Sequence, residues 1–140
     1  MKQDDEGFFY PVIDEKKCVN CGLCKKVCPA LNKSKVFEGN AEKPDCYAVM
    51  ANDELRAVSS SGGAFSIIAE EIFKQGGVVA GVAYVGQKVQ HIIIDTPDDL
   101  YKLRGSKYLQ SDTNTVYAQI KDILKTGRKV LFTGTPCQVA

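Results

Sequence analysis

The sequence predicts an α/β domain preceded by a short cysteine-rich segment. Three observations carry this. Four cysteines fall close together, at Cys18, Cys21, Cys24 and Cys28. From Cys46 onward, short apolar runs alternate with stretches whose apolar residues recur at three and four. Between the two, "NKSKVFEGNAEKPD", with Gly39, Pro44 and scattered charges, reads as a connector. The expected divisions are a cysteine segment over 1–36, a linker over 37–45 and an α/β domain over 46–140.

Taken in order, "CYAVMA" (46–51) is predicted as a strand. "SSSGG" follows, and then Phe65, Ile68, Ala69, Ile72 and Phe73 mark one face of a helix over 61–75. Ser60 or Ser61 is expected to cap its start and Gly76-Gly77 to end it. "VVAGVAYV" (78–85) is apolar enough for a strand buried on both faces. "GQK" turns into "VQHIIID" (89–95), the return arm of a hairpin. His91 stands alone in that arm, facing solvent or packing. "TPDDLYKL" puts Thr96 at a cap, Pro97 at the first helical position and two acids in the first turn of a short helix. "RGSKYLQS" is a loop, and Val116, Ile120, Ile123 and Leu124 mark a helix over 112–126 closed by Gly127. "KVLFT" (129–133) is a strand, and Pro136 sits where a covering helix would begin, with four residues after it. The expectation is an α/β mixed sheet of 46–51, 78–85, 89–95 and 129–133 with covering helices, incomplete at the C-terminus. Such a fragment would leave apolar sheet surface open and dissolve poorly or self-associate.

The 140 residues are 44% hydrophobic and 25% charged, with a net charge of +1, as in an ordinary globular protein. No basic block invites nucleic acid, and no apolar run reaches the ~20 residues of a membrane span. The start "MKQDDEGFF" is too acidic and polar for a secretory signal. Cysteines packed this tightly and ending in Cys-Pro suit metal better than disulfides, and so a reducing cytoplasm.

The cysteine spacing is C-x2-C-x2-C-x3-C-P. Two-residue gaps let successive turns of backbone reach successive irons of a 4Fe–4S cube, and Gly22 lets the backbone approach the sulfides. Zinc is the competing reading, but its sites use two separated pairs. The segment resembles the second half of a bacterial two-cluster ferredoxin, with "DEGFFYPVIDEKKC" like the strand and turn between its two motifs. In such proteins the cysteine before proline ligates the other cluster. Either the upstream motif is lost and Cys28 is orphaned, or Cys28 rearranges to complete a single cube. Cys46 and Cys137 are further candidates for a fourth ligand.

"SSSGGAFS" (59–66) offers backbone N–H groups at a helix start, where an anion such as a diphosphate is favoured. Its plainer reading is a capped helix with glycines for close packing. In "LFTGTPCQ" (131–138), Cys137 falls in the first turn of a helix, where a thiol's pKa is lowered. It is a cluster ligand, a redox thiol, a flavin contact, or a small residue at a tight turn.

"AVSSSGGAFSIIAEEIFKQGGVVAGVAY", "LRGSKYLQSD" and "KVLFTGTPCQVA", in that order behind the cysteine motif, resemble the coenzyme F-420 hydrogenase/dehydrogenase beta-subunit family. The variant is most similar to the bacterial branch associated with polysaccharide biosynthesis. The resemblance implies FAD, one or more 4Fe–4S clusters, a redox partner protein or ferredoxin, and a small-molecule substrate that it does not name. It would place Ser60, Ser61, Gly62 and Gly63 at the flavin, with the loop Gly105-Ser106-Lys107-Tyr108, and Cys137 near the flavin or a cluster as the catalytic candidate. Arg104 and Lys107 are candidate partners for a phosphate or a reduced flavin's charge.

The implied function is an iron–sulfur flavoprotein oxidoreductase, in cytoplasmic and fragment form, moving electrons between the cluster and FAD. The alternative is a ferredoxin-type electron-transfer module with no substrate site of its own. No second histidine and no motif-placed carboxylate pair suggests a hydrolase.

Overall fold

A computed structural model describes residues 1–32 and 45–139. The linker predicted over 37–45 lies outside the described residues, Asp45 excepted. The chain divides into two compact units, one of Met1–Cys46 with Thr135–Ala140, the other of Tyr47–Gly134. Residues 135–140 thus group with the cysteine segment, although the expected α/β domain of 46–140 includes them.

In the first unit, β1 (Lys2–Gln3) and β2 (Phe9–Tyr10) pair antiparallel. Their turn is held by Asp4, whose carboxylate accepts from the backbone N–H of Glu6 and of Phe8. Helix α1 (Leu23–Lys26) is a single turn inside the cysteine motif.

The second unit is built on a three-stranded mixed sheet in which β3 (Val78–Val85) lies between β4 (Lys88–Ile94) and β5 (Val130–Phe132). Strands β3 and β4 form the predicted hairpin, in register from Val79↔Ile94 to Val85↔Lys88. Gly86 takes φ +61° at the first central position of the two-residue turn, the place that asks for glycine. Strand β5 joins β3 in parallel. The side-chain alternation of β3 sends Val79 and Ala83 to one face and Val78 and Ala80 to the other, and all four are buried. On the first face they pack with Ala69 of α3 (Ala64–Lys74) and with Leu100 and Leu103. A 3-10 helix, Pro97–Lys102, carries Leu100. Helix α4 (Val116–Lys125) packs against β4 and β5, where Tyr117 meets the ring of Phe132. The uncovered sheet predicted for a fragment is therefore not found at the central strand. At the sheet edge, β5 is half-buried along its three residues.

Two expectations need correction. Residues 46–51 do not form a strand. The segment instead crosses the turn before α3, and Ala51 N–H donates to the carbonyl of Gly62 at 2.7 Å. That bond stands where a ladder would. The helix after it starts at Ala64, not residue 61, and neither Ser60 nor Ser61 caps it. Gly63 is the N-cap, at φ +83°, a conformation that breaks the helix on its N-terminal side. Asn52 does cap a helix, the short α2 (Asp53–Ala57), by accepting from Leu55 N–H. The far end of α3 closes as predicted: Gly76 takes φ +71°, and the N–H groups of Gly76 and Gly77 return to the carbonyls of Phe73 and Ile72.

Candidate functional site

The cysteine loop is shaped by two left-handed residues, Asn20 at φ +56° and Gly22 at φ +73°. They curl the chain so that Cys18, Cys21 and Cys24 lie exposed along it, with Cys28 half-buried at its end. Asn32 steadies that end, its amide donating to the carbonyls of Lys25 and Cys28. None of the six cysteines is in a disulfide. Among the described residues, no three Cys, His, Asp or Glu side chains gather around the position of one metal ion. A cube ties each thiolate to a different iron, so its sulfurs need not converge as ligands of one tetrahedral zinc do. The exposed set of soft thiolates fits a cube.

The second site lies wholly within the α/β unit. A cavity of about 620 Å³ is lined by Tyr47, Val49, Ser59 to Ser66, Leu103 to Ser106 and Thr133. Its size falls in the range of small-molecule and cofactor pockets. Two predicted motifs far apart in sequence meet here, Ser60-Ser61-Gly62-Gly63 and Gly105-Ser106. Lys107 is not part of the lining. Its ammonium donates to the carbonyls of Lys102 and Arg104, at 3.1 and 2.7 Å, and burial pushes its pKa down. It brackets the loop and leaves the cavity to Arg104. Tyr108, next in the loop, is 93% exposed.

Gly62 and Gly63 have a packing role that the sequence did not reveal. A Cβ on Gly62 would stand 2.5 Å from the carbonyl oxygen of Val49, and one on Gly63 would stand 2.7 Å from the Cβ of Ala51. Both glycines thus admit the 47–51 strap that forms one cavity wall. The first-turn amides of α3 receive no side-chain cap. Such amides carry partial positive charge suited to an anion.

The opposite wall is Thr133, just after β5. Its N–H and its hydroxyl both donate to the carbonyl of Ala80, and the missing side chain of Gly81 makes room for its Oγ1. Behind it lies His91, buried rather than facing solvent, its ring stacked on Phe132. Nε2 of His91 donates to the carbonyl of Thr133 at 3.1 Å, which leaves Nδ1 to accept from Ser111 Oγ at 3.0 Å. Ser111 arrives because Asp112 bridges to β4 beside Gln90.

Cys137 belongs to the other unit. It is exposed in the four-residue helix α5 (Pro136–Val139). Gln138 Oε1 accepts there from Thr135 N–H, and Gln138 N–H donates to the Thr135 carbonyl. Thr135 Oγ1 lies 3.1 Å from the Cys137 sulfur.

Residues 46–118, just over half of the chain, match the family model described as coenzyme F420 hydrogenase/dehydrogenase, beta subunit N-term. The chain belongs to this family. Residues 10–73 also match a 4Fe-4S dicluster domain. This member of the F420 hydrogenase/dehydrogenase beta-subunit family therefore carries an iron–sulfur electron-transfer module, and its chemistry is of the oxidoreductase kind. The dicluster stretch holds five cysteines, at 18, 21, 24, 28 and 46. One cube takes four thiolates and two take eight, so the five thiols of the matched stretch are too few for a pair. No curated protein matches the chain. Among the described residues, no helix is long and apolar enough to cross a membrane.

Proposed function

We propose that this family member is a cytoplasmic iron–sulfur flavoprotein oxidoreductase unit. In this reading Cys18, Cys21, Cys24 and Cys28 hold a 4Fe–4S cluster, and the cavity of the α/β unit holds FAD. When bound, a flavin supplies two-electron chemistry that one-electron clusters can feed or drain. The observation that carries the reading is the meeting of Ser60–Gly63 with Gly105–Ser106 on one cavity. These are the two segments that the family resemblance assigns to the flavin, and 42 residues of chain between Gly63 and Ser106 need not have brought them together. The chain's own residues shape the cavity by the strap at Tyr47 and Val49 and by the Thr133 wall. Cys137, at the helix start after Thr135, is the redox thiol of the proposal. A redox protein of the ferredoxin type is the proposed electron partner, and a small molecule the substrate.

A second reading is an electron-transfer module without a substrate site. It draws on Gly62 and Gly63, whose close contacts with Val49 and Ala51 explain both glycines without any ligand. One preparation separates the two. The full chain is reconstituted anaerobically with iron, sulfide and FAD, then desalted. The proposal expects bound iron and sulfide with retained FAD. Clusters without FAD would leave the second reading standing, and a colourless, iron-free protein would reject both.

A further inference from the structure

Ser66 is the most deeply buried polar side chain at the cavity, 1% exposed, on the first turn of α3. Its Oγ accepts from Nε of Arg104, 38 residues away, at 3.1 Å. Arg104 is pinned at two further points. Leu103, just before it, is anchored in the core beside Ala69 and Leu100, and its own carbonyl accepts from the Lys107 ammonium. Nε is thus occupied. The two terminal amino groups have no protein acceptor among the described residues, and Arg104 enters no ion pair there. A half-buried arginine held by its Nε in a cavity wall presents the remaining fork of donors as a unit.

We propose that Ser66 and Arg104 form the anion-recognition element of this cavity, with Arg104 gripping a phosphate oxygen pair of a nucleoside diphosphate and Ser66 as its positioning residue. The inference rests on the reading of this cavity as a nucleotide-cofactor site and names the group it recognises. It also assigns the two candidate cations of the loop different work. Arg104 meets the ligand; Lys107 spends its ammonium on loop carbonyls. The uncapped first turn of α3 lies beside the fork along the same lining and adds to the local positive field. A lysine at 104 would keep the charge and lose both the planar fork and the Nε tie to Ser66.

The test uses the full chain with its cluster reconstituted, and three probes: ADP, which has a diphosphate and no flavin ring; riboflavin, which has the ring and no phosphate; and FAD. Wild type is compared with Arg104→Lys, Arg104→Gln and Ser66→Ala by calorimetry, with thermal melts as a folding check. The expected result is about tenfold or greater loss of ADP and FAD affinity in both Arg104 variants, as for a lost charge-assisted contact. Ser66→Ala should lose several-fold in the same direction, and riboflavin binding should not change. Arg104 lies at the cavity wall, so its variants carry the test even where Ser66→Ala unfolds. Unchanged ADP affinity in Arg104→Gln, equal loss of riboflavin and ADP, or a wild type that binds neither ADP nor FAD would overturn the proposal. Wild type that binds ADP through Arg104 but neither flavin would sustain it and reject the flavin reading instead.

Discussion

The imidazole of His91 donates from Nε2 to the carbonyl of Thr133, across 42 positions of sequence, and so ties β4 to the residue that follows β5. Burial outweighs that bond and holds the imidazole's pKa below its ordinary value. The folded ring therefore stays neutral at a pH where the ring of an unfolded chain already binds a proton. Below about pH 6.5 the unfolded state takes up more protons, so stability falls as pH falls toward the folded pKa and is complete above that window. Thermal melts at pH 7.5 and 5.5 should show a drop for wild type that is smaller in His91→Gln. Equal pH slopes in the two proteins would show that His91 does not titrate in the fold.

Gly62 is predicted to be irreplaceable for a steric reason. The Cβ of an alanine would press on the Val49 carbonyl at 2.5 Å, a backbone atom that can move only if the strap lifts. Gly62→Ala should cost about 1–3 kcal/mol in urea unfolding. Gly63→Ala adds a left-handed φ of +83° to a 2.7 Å contact with Ala51 and should cost at least as much. Alanine at either position with unchanged unfolding would mean that the strap does not pack as described.

These glycines mark the limit of what the sequence could reveal. The helix after them, the hairpin, the two-glycine stop at 76–77 and the strand at 130–132 are local patterns and were legible. The 46–51 run has the composition of a strand, yet it joins neither sheet of the described residues, and Ala51 bonds instead to the turn at Gly62. His91 looked incidental because its partners, Ser111 and Thr133, lie 20 and 42 residues off. Ser66 was one hydroxyl among several in "SSSGGAFS" until the fold set it against Arg104. Residue types at each site were readable, whereas the pairings depend on tertiary approach, which no local period encodes.

The loop that carries Arg104 is held by the core, and this can be measured. Leu100 is 1% exposed in the 3-10 helix and packs with Leu103, Val79 and Ile94. Leu100→Ala removes its branched end from that cluster and should cost about 2–5 kcal/mol. Urea unfolding would register it as a lower midpoint at similar slope. A cost below about 1 kcal/mol would indicate that the segment collapses onto the vacated space and is not a firm base for the loop.

Cluster stoichiometry follows from counting thiols. The dicluster match covers residues 10–73, but five cysteines there can ligate only one cube of four thiolates. Anaerobic reconstitution should therefore yield about four irons and four acid-labile sulfides per chain, not eight of each. Single Cys→Ser changes at 18, 21 and 24 should each lower iron to well under half of wild type, since those thiols share one curled loop. Cys28 decides the remaining question. If it completes this cube, Cys28→Ser loses iron as the others do. If it points to another cluster's position, iron is kept in that variant. Zinc bound at one per chain without sulfide would displace the iron–sulfur assignment, because a tetrahedral ion, unlike a cube, draws its thiolates onto a single centre.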